Sequence, residues 1–157
     1  MTDEAYAAKQ WLRRIHYLAL RVEASERTLE VLQNRIDGGV AKYENDGATV
    51  DRDQARKKHE DQMLDYVEQS EKLSKERRKL NREIVKTQKV IKKIGDPELE
   101  AIATNRYIFR LNWNDVVKIS HFSRAQVFRY HLKMLDKVAA ILNNEKEKKN
   151  EQREAPD

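Results

Sequence analysis

The chain contains no cysteine. Disulfides and thiolate metal sites are therefore excluded, and a reducing compartment fits. Aromatic residues make up only 7%. Mean hydropathy is -0.94, so a single large core is not expected. No apolar run approaches the ~18 residues of a membrane span. The opening residues, MTDEAYAAKQ, lack the basic and apolar regions of a secretory signal. Glycine and proline are rare, at four and two among 157 residues. With Lys, Glu, Arg, Leu and Ala dominant, this is the balance of a long-helix or coiled-coil protein. The expectation is a soluble, intracellular, all-α chain of one or two small domains.

Charge is what the chain has in quantity. Lys and Arg number 32 against 27 acids, a net charge of +5. That suits an anionic partner, although the acids dilute the signal. Motifs for chemistry are missing. His16, His59, His121 and His131 have no partner at ligand spacing, and neither H-E-x-x-H nor a glycine-rich phosphate loop occurs. No enzyme, metal or cofactor is expected.

Apolar periodicity divides the chain. Over residues 3–36, Ile15, Val22, Leu29 and Ile36 recur every seven, with Leu18 and Leu32 alongside and Ser25 interrupting. This is either a short coiled-coil seam or an amphipathic helix on a local core. DGGVAKYENDGATV, 37–50, holds three of the four glycines and reads as a loop, with Thr49, Asp51 or Asp53 capping the next helix. Over 51–94, Met63, Tyr66, Leu73, Leu80, Ile84, Ile91 and Ile94 share one stripe, with Ser70, Arg77 and Thr87 in its gaps. Such a helix would run ~65 Å. Folding back on the first helix, or pairing with a second chain, would bury the stripe. The expected oligomerisation seam is Ile15, Val22, Leu29, Leu73, Leu80, Ile84 and Ile91, in a homodimer or higher homo-oligomer. The basic run 75–93 is either a solvated face or a phosphate-contacting stripe.

GDPEL, 95–99, marks a boundary. Gly95 suits a helix C′ position, and Asp96 with Pro97 starts a helix reaching about Arg110. The expected domains are a helical hairpin or coiled-coil arm at 1–94, a helix-turn-helix module at 96–142 and a disordered charged tail at 143–157, with a fragment from Asp96 to Asp157 expected to fold as a monomer.

Within that module a helix-turn-helix can be laid on 113–132. Trp113, Val116, Val117 and Ile119 form the inner side of a first helix capped by Asn112. Phe122 inserts between the helices. Ser123 caps the second helix and Gln126 completes an S-x-x-Q box. Val127, Tyr130, Met134, Leu135 and Val138 continue inward. The motif core is thus Trp113, Val116, Phe122, Val127, Tyr130 and Leu135. Arg124, Ala125, Gln126, Phe128, Arg129 and Lys133 are left facing outward, and the DNA-binding set is Ser123, Arg124, Gln126, Phe128, Arg129 and Lys133. Arg can read guanine, Gln can read adenine, and an aromatic edge can touch a thymine methyl. Alternatively, Phe128 packs on the helix from 97 to 110 and the cations only solubilise. The tight turn falls on His121 where Gly is usual, Val117 occupies a position usually held by a small residue, and Ser120 replaces an apolar one.

RYIFRLNWNDVVKISHFSRAQVFRYHLKML, 106–135, resembles the fourth-region DNA-binding domain of bacterial sigma factors. It is more closely similar to ArpU/RinA-type regulators of phage late genes. Arg106, Tyr107, Ile108, Leu111, Trp113, Phe122, Ser123, Val127, Phe128, Arg129 and His131 carry the resemblance, which covers about the last third of the chain. It implies a cytoplasmic phage or prophage activator in a bacterial host. Its partners would be double-stranded promoter DNA and, as an open possibility, host RNA polymerase. Two other readings stay open: a packaging protein of the small-terminase kind, which would form rings, and a coiled-coil adaptor whose C-terminal module binds protein.

Overall fold

A computed structural model describes residues 1–45 and 52–155, apart from the side chains of 40–45. Every regular element among them is helical: α1 (Asp3–Asn45), α2 (Arg52–Lys92), α3 (Pro97–Ala103), a π-helical turn (Thr104–Ile108), α4 (Trp113–Ser120) and α5 (Arg124–Glu154). The protein is all-α. No helix among the described residues is long and apolar enough to cross a membrane.

Two helices run further than expected among the described residues. α1 continues through Gly38 and Gly39 to Asn45. Each glycine costs about 1 kcal/mol relative to alanine in a helix, but neither forbids it. The rest of the expected loop, with Thr49 and Asp51, lies outside the described residues. Asp53 sits inside the first turn of α2 and is not its cap. The tail expected to be disordered is instead the last third of α5, helical to Glu154. Its Glu, Lys, Gln and Arg are strong helix formers, and Glu145 precedes Lys149 at the favourable i,i+4 spacing.

The chain divides into two compact units, and the division does not fall at Gly95. One is Leu18–Leu80; the other joins Met1–Tyr17 to Asn81–Asp157. In Leu18–Leu80, α1 and α2 lie antiparallel. Ala19, Val22, Ile36 and Leu73 are buried, while Leu29, Leu32, Tyr66 and Leu80 are half-buried. Polar gaps in the stripe are filled across the pair. Ser25 Oγ donates to Glu76 Oε2 at 2.6 Å, and Arg77 Nη2 donates to Glu26 Oε1 at 2.9 Å. Ser25 is 5% exposed, so a register slip would leave its hydroxyl without that partner. Met63, expected on the buried stripe, is exposed.

The other unit is built from both ends of the sequence. Its main cluster takes Ala5, Ala8 and Leu12 from α1, Val90, Ile91 and Ile94 around the end of α2, Leu99 and Ala103 from α3, Tyr107, and Met134, Leu135, Val138 and Ala139 from α5. Arg14 spans the first two helices, donating to Glu83 Oε2 at 2.9 Å and Thr87 Oγ1 at 3.1 Å. Thr87 is fully buried, and its hydroxyl donates to the Glu83 carbonyl. Burial lowers the Arg14 pKa against the raising effect of Glu83. Burial would raise the Glu83 carboxyl, but hydrogen bonds from Arg14 and Lys86 bring it below its usual value.

This packing corrects the expected oligomerisation seam. Ile15, Val22, Leu73 and Ile91 are buried inside one chain, and Leu29, Leu80 and Ile84 are half-buried there. Four of the seven side chains are thus covered within one chain.

The boundary near Gly95 is real but local. Gly95 adopts φ 75, a left-handed conformation open to glycine without a Cβ penalty. Asp96 Oδ1 accepts from the Glu98 and Leu99 amides, and Pro97 follows.

Because the core is shared, a fragment from Asp96 onwards is not expected to fold independently. It should lack the cooperative thermal transition of the full chain. Leu12→Ala in the full chain should cost about 2–5 kcal/mol in urea unfolding. A cooperative, full-length-like melt of the fragment would contradict the shared core.

Candidate nucleic-acid interface

The sequence builds α4, the turn and α5 by local rules. Asn112 adopts extended backbone, and its Oδ1 accepts from the Asp115 amide at 2.9 Å. At the far end, Ser120 Oγ donates to the Val117 carbonyl at 2.8 Å and accepts from the Phe122 amide at 3.2 Å. A hydroxyl in that unusual place thus satisfies the turn. His121 is left-handed, with φ 59 and ψ 13, as expected for the position where glycine is usual. Ser123 Oγ then accepts from the Gln126 amide at 3.2 Å. Ile102, Val116 and Val127 form the cluster that locks the helices, with Leu111, Trp113, Val117, Phe122 and Tyr130 packed against it. Leu135 is buried in the neighbouring main cluster. Ile119, expected inside, is 52% exposed in the last turn of α4.

The proposed DNA-facing residues separate into two groups. Arg129 and Lys133 are exposed and project from the face of α5 opposite Val127, Met134 and Val138. Ser123 is exposed, with its hydroxyl engaged in the cap. Arg124 is exposed but held: Nη1 donates to Asn114 Oδ1 at 2.8 Å, and its guanidinium carbon lies 5.4 Å from the Phe128 ring centroid. Phe128 and Gln126 differ from the expectation. Phe128 is half-buried, its ring centroid 4.9 Å from that of Trp113. It packs inward because α4 offers an aromatic face that solvent cannot match. Gln126 does not reach back to complete the capping box; Nε2 donates to the Tyr130 hydroxyl at 2.9 Å. That bond lies one turn along the helix, so Gln126 is not directed outward.

Trp113 is the hub of this mounting. Arg106 covers its ring at 4.8 Å, and His131 meets it edge-on at 4.7 Å. Arg106 Nη1 also donates to the Leu111 carbonyl at 2.7 Å. His131 is 4% exposed, and its Nε2 lies 2.7 Å from the Tyr107 hydroxyl. Burial pushes the Tyr107 phenol up to about 12. Burial pushes His131 down to about 4, helped by Lys9 and Arg106. A neutral imidazole accepting from the phenol fits both shifts. Arg110 adopts a left-handed φ of 59, and its Nε donates to His16 Nδ1 at 3.3 Å.

Sequence reasoning overlooked three neighbours. Leu132 is 43% exposed on the outward face of α5. Asn114 holds Arg124, and Lys118 is exposed on α4. Helical periodicity alone could have found Leu132, at i+3 from Arg129 and i+7 from Ala125. Comparisons with protein-family models, curated proteins and solved structures return no match to this chain.

The buried His131 sets a pH dependence. Its folded pKa of about 4 lies below the ~6.5 of an unperturbed histidine. Between those values the unfolded chain binds the extra proton. The contribution is complete above about pH 6.5 and is lost as pH falls towards 4, at up to ~1.4 kcal/mol per pH unit. Urea unfolding at several pH values should show wild type losing more stability than His131→Gln across this window; parallel profiles would refute a neutral buried ring.

Proposed function

We propose that this protein is a sequence-specific double-stranded DNA-binding regulator that inserts the N-terminal half of α5 in the major groove. The observation that carries it is the capped, left-handed turn between α4 and α5. The turn leaves one face of α5 buried, while Arg129 and Lys133 stand on the other. A helix-turn-helix presents its second helix to base edges in that way, while its first helix crosses the backbone. Exposed Lys118 on α4 suits a phosphate contact. The resemblance to ArpU/RinA-type regulators supports the narrower role of a phage or prophage late-gene activator. Host RNA polymerase belongs to that narrower role.

A homodimer is part of the proposal, because one recognition helix reads few base pairs and paired readers on half-sites ~34 Å apart read more. Ile15, Val22, Leu73 and Ile91 are buried within one chain, so the dimer is held by residues other than these. Sedimentation with and without DNA measures it.

Fragments selected from random duplex DNA at a stated salt concentration supply the site. On that site Arg129→Ala should lose roughly 1–3 kcal/mol of specific binding, the range of a good base contact. Lys133→Ala should weaken all sequences alike and reduce the salt slope by about one phosphate contact. Unchanged specific binding by folded Arg129→Ala would refute this placement.

A further inference from the structure

The outward face of α5 is not uniformly charged. At ~100° per residue, Leu132, Ala125, Arg129 and Lys133 fall within an arc of about 100°, opposite the buried Val127, Met134 and Val138. Two of the four are apolar. Leu132 is 43% exposed, and Ala125 is exposed one turn before Arg129. Asp136 continues the same face and is exposed; a carboxylate there would be repelled by phosphate, which places the end of the groove-facing stretch at Lys133. One leucine and one alanine flanking a guanidinium make too small an apolar patch for a protein interface, which takes ~800 Å² per partner. The major groove offers a counterpart of the right size, the 5-methyl group of thymine.

We propose that Ala125 and Leu132 read the 5-methyl groups of two thymines that flank a guanine contacted by Arg129. The seven-residue separation spans ~10.5 Å of helix, over which a helix lying at an angle in the major groove meets about three successive bases. The thymines, on either strand, therefore lie about two base-pair steps apart. The proposal rests on the DNA-reading function above and adds which bases the face selects.

The probe is the duplex enriched from random DNA by the full-length protein, remade with deoxyuracil for thymine. Uracil keeps the pairing edge and loses only the methyl. Wild type should bind the uracil duplex about fourfold more weakly per methyl removed. Leu132→Ala, with a melt matching wild type, should become indifferent to uracil at one of the two positions and keep its requirement for guanine. Equal wild-type binding to both duplexes would overturn the proposal. So would a Leu132→Ala variant with the wild-type ratio at both positions. Enrichment of no sequence at all would overturn the DNA-reading function itself, and this inference with it.

Discussion

The inner side of α5 is the constraint on which the rest depends. Met134, Leu135 and Val138 are fully buried, in one cluster with Leu12 of α1, Val90 and Ile91 of α2 and Leu99 of α3. Full burial of such a side chain contributes ~1.5–3 kcal/mol, and core side chains of this kind tolerate little displacement. Rotating α5 about its axis would expose them all. The outward direction of Arg129 and Lys133 is therefore a consequence of core packing, with no contact of their own needed to aim them.

The conspicuous aromatic and cationic residues of the C-terminal third divide in function accordingly. Arg106, Tyr107, Trp113, Phe128 and His131 meet one another around the Trp113 ring. They fix α4 and α5 together, apart from the plainer exposed face of Ala125, Arg129, Leu132 and Lys133. Ser123 and Asn112 satisfy helix N-termini, while Ser120 and His121 shape the turn.

Local rules were legible in the sequence because they act over three or four residues. Asp96 before Pro97, Asn112, Ser123, Gly95 and the left-handed His121 all stand where cap and turn chemistry puts them. The period of the apolar stripes identified the inward faces of α2 and α5. Periodicity names a face but not what covers it. That is why the sequence leaves open whether α1 and α2 cover each other or a second chain, and why it does not show Ala5, Ala8 and Leu12 as part of the C-terminal core. Phe128 was misplaced for the same reason: its helical position is lateral, and only the location of Trp113 decides which way it turns. The glycines at 38 and 39 show the converse limit, since neighbouring helix can override an unfavourable local preference.

The central claim is that α5 occupies the major groove of a specific sequence. Dimethyl sulfate tests it directly, because it methylates guanine N7 in the major groove and adenine N3 in the minor groove. On a duplex enriched from random DNA, the full-length protein should protect guanine N7 at the centre of each half-site and leave adenine N3 there reactive. Specific binding without N7 protection, or with adenine N3 protected in its place, would contradict the account.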